Sequence, residues 1–185
     1  MGERVCFIEM MLILLQTEVP KMFEVSDVVA YGTNGVCTVT EITTKKIDKV
    51  NVEYYVLSPK AATSAKVFVP TQNEKLVGKM RAILTKEEVT ELLDNIPKED
   101  EEWISNKNIR FETFKNIISE GKSSELLKLI KTLRNHEKQQ FKRGKRLHMA
   151  DERFLKEAEK MVLGEFAFVL NESTDDILNR IVNCA

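Results

Sequence analysis

The apolar pattern changes period once, near Pro70, and that switch constrains the fold more than any other feature of the chain. Before it, Phe23 to Tyr31 is rich in β-branched and aromatic residues with partial alternation, the signature of a strand. Gly32-Thr33-Asn34-Gly35 is a turn signal, because such residues accept the positive φ of tight turns. Val36 to Ile42 alternates again and slips near its end, and Lys45 to Lys49 reads as a charged connection. Glu53 to Leu57 and Lys66 to Val69 predict two more short strands, the last closed by Pro70, which has no N–H for a ladder. Short strands with close turns predict a small curled barrel rather than a sandwich.

After Pro70 the spacing is helical. Thr85-Lys86-Glu87-Glu88 is a capping box, followed by Val89, Leu92, Leu93 and Ile96 on one face and stopped by Pro97. Lys98 to Glu102 is a charged link. A second helix is expected from about Glu101 to Ser119, with Trp103 in its first turn, Phe111, Phe114 and Ile118 as apolar points, and Gly121 as its stop. Ser123 or Ser124 caps a third, with Leu126, Leu127, Ile130 and Leu133 on one face. A fourth covers about Ala150 to Glu165, with Phe154, Leu155, Ala158, Met161 and Val162 inward. Ser173-Thr174-Asp175-Asp176 opens a last short helix. The fold class is therefore α+β: a small N-terminal β-barrel, then an all-α helical bundle. The expected organisation is a strand-rich domain over residues 22–75, a connecting helix and acidic linker over 76–100, and a helical domain over 101–185. Residues 1–21 are expected to be an extension translated ahead of a start at Met22; an interfacial or packing helix and a weak signal sequence are the competing readings. Their apolar run is too short to span a bilayer.

Charge sets the limits on function. The net charge of −1 excludes a uniformly basic coat but not a local basic face. Between Lys122 and Arg146 stand nine Lys and Arg against Glu125 and Glu137, and the following stretch is acidic. Two readings stay open: helix faces that pair with each other, or a phosphate-contacting patch centred on Lys142, Arg143, Lys145 and Arg146. Trp103, the only tryptophan, is likewise read two ways. It is a domain-interface anchor, which spacing alone favours, or an apolar wedge for a base step with Lys107 and Arg110 on its helical face.

No phosphate loop, metal-ligand spacing or nucleophile elbow is present in the sequence, so no enzyme, metal or cofactor is expected. His136 and His148 read as solvated surface residues. Cys6, Cys37 and Cys184 are odd in number and far apart, which suits a reducing, cytoplasmic setting, with Cys37 in the core.

The stretch Phe23 to Val36 resembles the opening of CarD/CdnL proteins, a family of bacterial RNA polymerase-binding transcription regulators. Glu53 to Leu57 and Val67 to Pro70 are similar to its later strands, and Leu163 to Ala167 and Glu172 to Asp176 to its C-terminal signature. The resemblance implies a Tudor- or SH3-like barrel that binds the polymerase β subunit. It also implies a helical domain that touches promoter DNA at the upstream edge of the bubble, with a tryptophan wedge at the position of Trp103. On that basis Trp103, Asn106, Lys107 and Arg110 become DNA candidates beside the basic segment, and Lys45 and Phe68 become polymerase candidates. Lys45 keeps the charge of an arginine used there without its bidentate geometry. Phe68 would give packing in place of an ion pair. Ser26 stands where the family commonly has glycine. The implied protein is a cytoplasmic, nucleoid-associated monomer without a membrane segment. A stand-alone DNA-binding or nucleoid protein and a protein-interaction adaptor are the alternatives.

Overall fold

The computed structural model describes residues 23–47, 50–62, 64–97 and 102–183. The expected extension over residues 1–21 lies outside them. Strands β1 (Val28–Tyr31), β2 (Val36–Ile47), β3 (Val50–Pro59), β4 (Val67–Pro70) and β5 (Met80–Ala82) form one antiparallel sheet in the order β4-β3-β2-β1-β5. The sheet is open, with β4 and β5 as its edges, where the sequence predicts a barrel. Helices follow: a single turn α1 (Glu74–Val77), then α2 (Lys86–Asp94), α3 (Lys107–Glu120), α4 (Ser123–Lys142), α5 (Met149–Leu170) and α6 (Thr174–Asn183).

Alternation builds the sheet. Its inward residues, Val29, Tyr31, Cys37, Val39, Tyr55, Leu57, Val69 and Met80, join Phe23 in one buried cluster. The slip in the pattern of β2 is a β-bulge between Val39 and Glu41, next to Thr40, whose hydroxyl donates to the Val56 carbonyl at 3.0 Å. Beyond the bulge β2 runs on through Lys45 and Ile47 to pair Ile47 with Val50, so most of the expected charged connection is strand. Three residues of β5 carry too little pattern to be seen in the sequence. The opening turn keeps the glycine-like geometry without glycine: Ser26 has φ 82°, and its N–H donates to the Val39 carbonyl at 2.8 Å. Burial pushes the Cys37 thiol up to about 11, against the weaker opposing charge of Lys160, which leaves it protonated and inert.

The helical part has its own core, in which Leu126, Leu127, Ile130 and Leu133 of α4 meet Phe154, Leu155, Ala158, Val162 and Phe166 of α5, with Ile177 and Ile181 of α6. The Thr85–Glu88 capping box is present in both directions. Gly121 ends α3 in the left-handed conformation, φ 68°. Helix α3 starts later than expected, at Lys107, because the Asn106 side chain caps it by accepting from Asn108 and Ile109 N–H at 3.0 and 3.2 Å. Trp103 thus precedes the helix instead of sitting in its first turn. The cap of α4 is Lys122, and Ser123 is already helical. Phe111, one of the apolar points of that helix, is exposed, although its ring meets Phe154 edge-on at 5.3 Å.

Sheet and helices are joined through α5. Glu165 is fully buried and accepts from the Arg81 guanidinium through both oxygens, at 2.6 and 2.5 Å, and from Leu84 N–H at 3.0 Å. A side chain at Gly35 would stand 3.2 Å from the Lys160 carbonyl, so the 3-10 turn at Gly32–Asn34 packs closely on α5.

Candidate functional site

Two surfaces gather the residues singled out from the sequence. The first is the outer face of the β2–β3–β4 region. The register pairs Thr43 with Tyr54, Lys45 with Val52, and Val56 with Phe68, so alternation sets these side chains on one face. There the Lys45 ammonium lies 3.5 Å from the Phe68 ring centroid, and Tyr54 meets Phe68 edge-on at 6.3 Å. Phe68 stays 41% exposed, and Ile47 and Val50 at the hairpin end are exposed as well. The fold therefore makes one half-solvated aromatic and cationic patch from two candidates that are 23 positions apart in the chain.

The second surface is the end of the helical part where α3 begins, α4 ends and α5 begins. Trp103 is half-buried there and stacks on His136 at 3.5 Å between centroids and 5° between planes. Phe114 meets it edge-on at 6.4 Å, and the Arg110 guanidinium lies 4.6 Å from its centroid. Among the described residues these ring partners all belong to the helical part, where the sequence alone favours an anchor between domains. His136 is not the solvated residue expected. Burial, opposed by the Asp151 charge and reinforced by Arg110 and Arg143, holds its imidazole below the usual range. His148, by contrast, caps α5, its Nδ1 accepting from Ala150 N–H at 3.3 Å. No sequence signal identifies His136 as a partner of Trp103, since the contact joins segments 33 positions apart.

The candidate cations fall into two groups. Arg110, expected at the surface, is 6% exposed. Its guanidinium donates to both Asp151 oxygens at 3.0 Å and to the Ile104 carbonyl at 2.7 Å, which leaves it no free fork for a phosphate. Asn106 uses its side-chain oxygen as a helix cap. In the basic segment, Lys122 pairs with Glu120 at 3.1 Å and Lys128 with Glu125 at 2.9 Å. Arg134 bridges to Glu137 at 2.8 Å and across to α5 at Glu159, 2.6 Å away. Of these pairs only Arg134–Glu159 joins the basic segment to the acidic stretch that follows it; the others are local. Lys107, Lys138, Lys142, Arg143, Lys145 and Arg146 are exposed, and none forms an ion pair among the described residues.

Arg143 acts electrostatically on His136, and at 1.5 Å rise per residue Lys142 stands about 9 Å along α4 from it. Trp103 and the basic turn 142–146 therefore occupy one end of the molecule. Among the described residues there is no group of His, Cys, Asp and Glu placed to hold a metal ion, and no helix is long and apolar enough to cross a membrane.

Residues 23–84, a third of the chain, match the family model of the CarD-like/TRCF RID domain. The match covers the sheet with α1 and ends before α2 and the helical part that carries Trp103. A search of curated proteins finds no match.

Proposed function

We propose that this chain, whose residues 23–84 match the CarD-like/TRCF RID domain, is a transcription regulator that binds RNA polymerase with its sheet and acts on promoter DNA with the Trp103 end. The observation that carries this reading is the domain match, which spans the whole sheet and includes the Lys45–Phe68 patch. The polymerase β subunit is the partner we assign to that patch. A half-exposed aromatic ring under a cation offers apolar area with a charge at its rim, as protein interfaces use. The protein acts as a cytoplasmic monomer at the nucleoid and is not an enzyme.

Tethering raises the effective concentration of the helical part at the promoter. The free cations Lys107, Lys142, Arg143, Lys145 and Arg146 then contact phosphates without reading sequence. Trp103 leaves its stack on His136 and supports an unstacked step at the bubble edge, where unstacking costs on the order of a few kcal/mol. Preferential binding to the open promoter shifts the equilibrium towards it.

The test is capture of the full chain by a β-subunit fragment. Phe68→Ala is expected to weaken capture roughly tenfold, within the range of an interface aromatic. Trp103→Ala is expected to leave capture unchanged and shorten open-complex lifetime. Loss of neither property would refute the reading.

A second reading has one observation in its favour, the Trp103–His136 stack. On it, Trp103 stays docked as a structural anchor and DNA contact falls to the basic turn. Tryptophan emission separates the two: it is quenched on addition of polymerase and promoter if the indole moves onto bases, and unchanged if it stays docked.

A further inference from the structure

At the end where Trp103 is half-buried, the aromatic side chain most open to solvent is Phe141. It is 82% exposed and has no ring or cation contact among the described residues. It occupies the last turn of α4, whose end is well defined: Arg143 and Lys145 N–H both donate to the Gln140 carbonyl at 2.9 Å, and Gly144 N–H donates to the Phe141 carbonyl at 2.9 Å. Gly144 takes φ 68°, which turns the chain sharply. The ring thus sits on a tight turn that presents Lys142, Arg143, Lys145 and Arg146, with Lys138 one helical turn before it. All five are exposed and unpaired among the described residues.

We infer that Phe141 is a nucleic-acid contact, a stacking platform for an unpaired base, with the basic turn holding the adjoining phosphates. An isolated aromatic residue among cations is what single-stranded nucleic acid recognition uses, because every base offers a π-face and every nucleotide a charge. A bilayer surface would need a continuous apolar helix face, and the α4 neighbours of Phe141 at the spacing of one turn, Glu137 and Lys138, are charged. The five unpaired cations repel a basic partner and match a polyanion. Phe141 and Trp103 then divide the work: Trp103 is packed in the free chain, and Phe141 is available from the outset.

The inference rests on the DNA-facing half of the proposed function, and the experiment keeps the two apart. The full chain carries a photoreactive benzoylphenylalanine at position 141 or, separately, at position 68, and is irradiated with RNA polymerase on a promoter. The position-141 probe is expected to label promoter DNA beside the bubble. Labelling of a polymerase subunit alone, or of vesicles containing phosphatidylglycerol but not DNA, overturns the inference. If the position-68 probe labels polymerase and the position-141 probe labels nothing, the inference fails while polymerase binding stands.

A second measurement uses the chain alone with duplexes that are fully paired or carry an unpaired bubble. Phe141→Ala is expected to weaken bubble binding roughly tenfold, to leave the salt dependence unchanged, and to be rescued by Phe141→Trp. Equal affinity of Phe141→Ala and the parent for the bubble overturns the inference even if the position-68 probe labels polymerase. A tenfold loss retains it even if that probe labels nothing.

Discussion

Arg110 and Lys142 are both cations of the helical part, and the fold treats them in opposite ways. Arg110 is buried against Asp151 and beside Trp103, with its donors directed at protein acceptors. Lys142 is exposed on a turn without an ion pair among the described residues. The same division runs through the basic segment, where Lys122, Lys128 and Arg134 form close ion pairs and Lys142, Arg143, Lys145 and Arg146 form none among the described residues. A cation already paired has its field cancelled at short range and its donors in use. A cation without a partner keeps both for a ligand. The charge visible in a sequence is therefore not the charge a surface offers.

The comparison breaks first, if it breaks at all, at Arg110. Arg110→Ala leaves Asp151 buried without its partner and is expected to lower stability by about 3–5 kcal/mol, read as a fall in the thermal midpoint on the order of 10 °C. A loss below about 1 kcal/mol would place Arg110 with the free cations. The converse comes next. Replacing Lys142, Arg143, Lys145 and Arg146 together by Ala is expected to weaken binding to bubble-containing DNA by roughly a hundredfold at low salt and to flatten its salt dependence by about three contacts. The thermal midpoint is expected to change little. Alanine at Lys122 and Lys128 is expected to change DNA affinity by less than about twofold, and an equal loss from both sets would remove the distinction.

Arg134→Ala is expected to cost about 1–2 kcal/mol, more than an exposed pair, because Arg134 is part-buried and joins α4 to α5 through Glu159. Denaturant unfolding measures it. The smallest effect concerns pH. The folded chain holds the His136 pKa below its unfolded value of about 6.5. Its contribution to stability is therefore complete above that value and lost as the pH falls through the folded pKa. Acidification from pH 7 to pH 5 is expected to loosen the Trp103 stack and shift tryptophan emission to longer wavelength, and His136→Gln to reduce that shift. A shift unchanged by the substitution would assign it to other groups.

Legibility differed between the two parts for physical reasons. In the sheet, alternation named the core strands, and the slip near Ile42 marked a real bulge. Strand β5 went unseen because three residues hold no period. In the helices, the capping box at Thr85 and the stop at Gly121 read correctly, since both are local hydrogen-bond and backbone preferences. The start of α3 was misplaced because the acidic stretch before Trp103 imitates a first turn, while Asn106 supplies the cap that fixes it. Of the candidate residues, Lys45 and Phe68 meet across strands and Trp103 lies near the basic turn, but Arg110 and Asn106 are held by the fold itself.

By itself the sequence determined the order of the parts, the faces that are apolar and the ends that are capped. All of these follow from spacing and neighbours within a few residues. Only the tertiary structure decided that Trp103 rests on His136, that Arg110 is tied to Asp151, that Glu165 joins the helices to Arg81 of the sheet, and that Phe141 has no such cover. Each joins or separates residues tens of positions apart in the chain. Whether a charge or a ring is available depends on what the fold brings against it, and no local pattern records that.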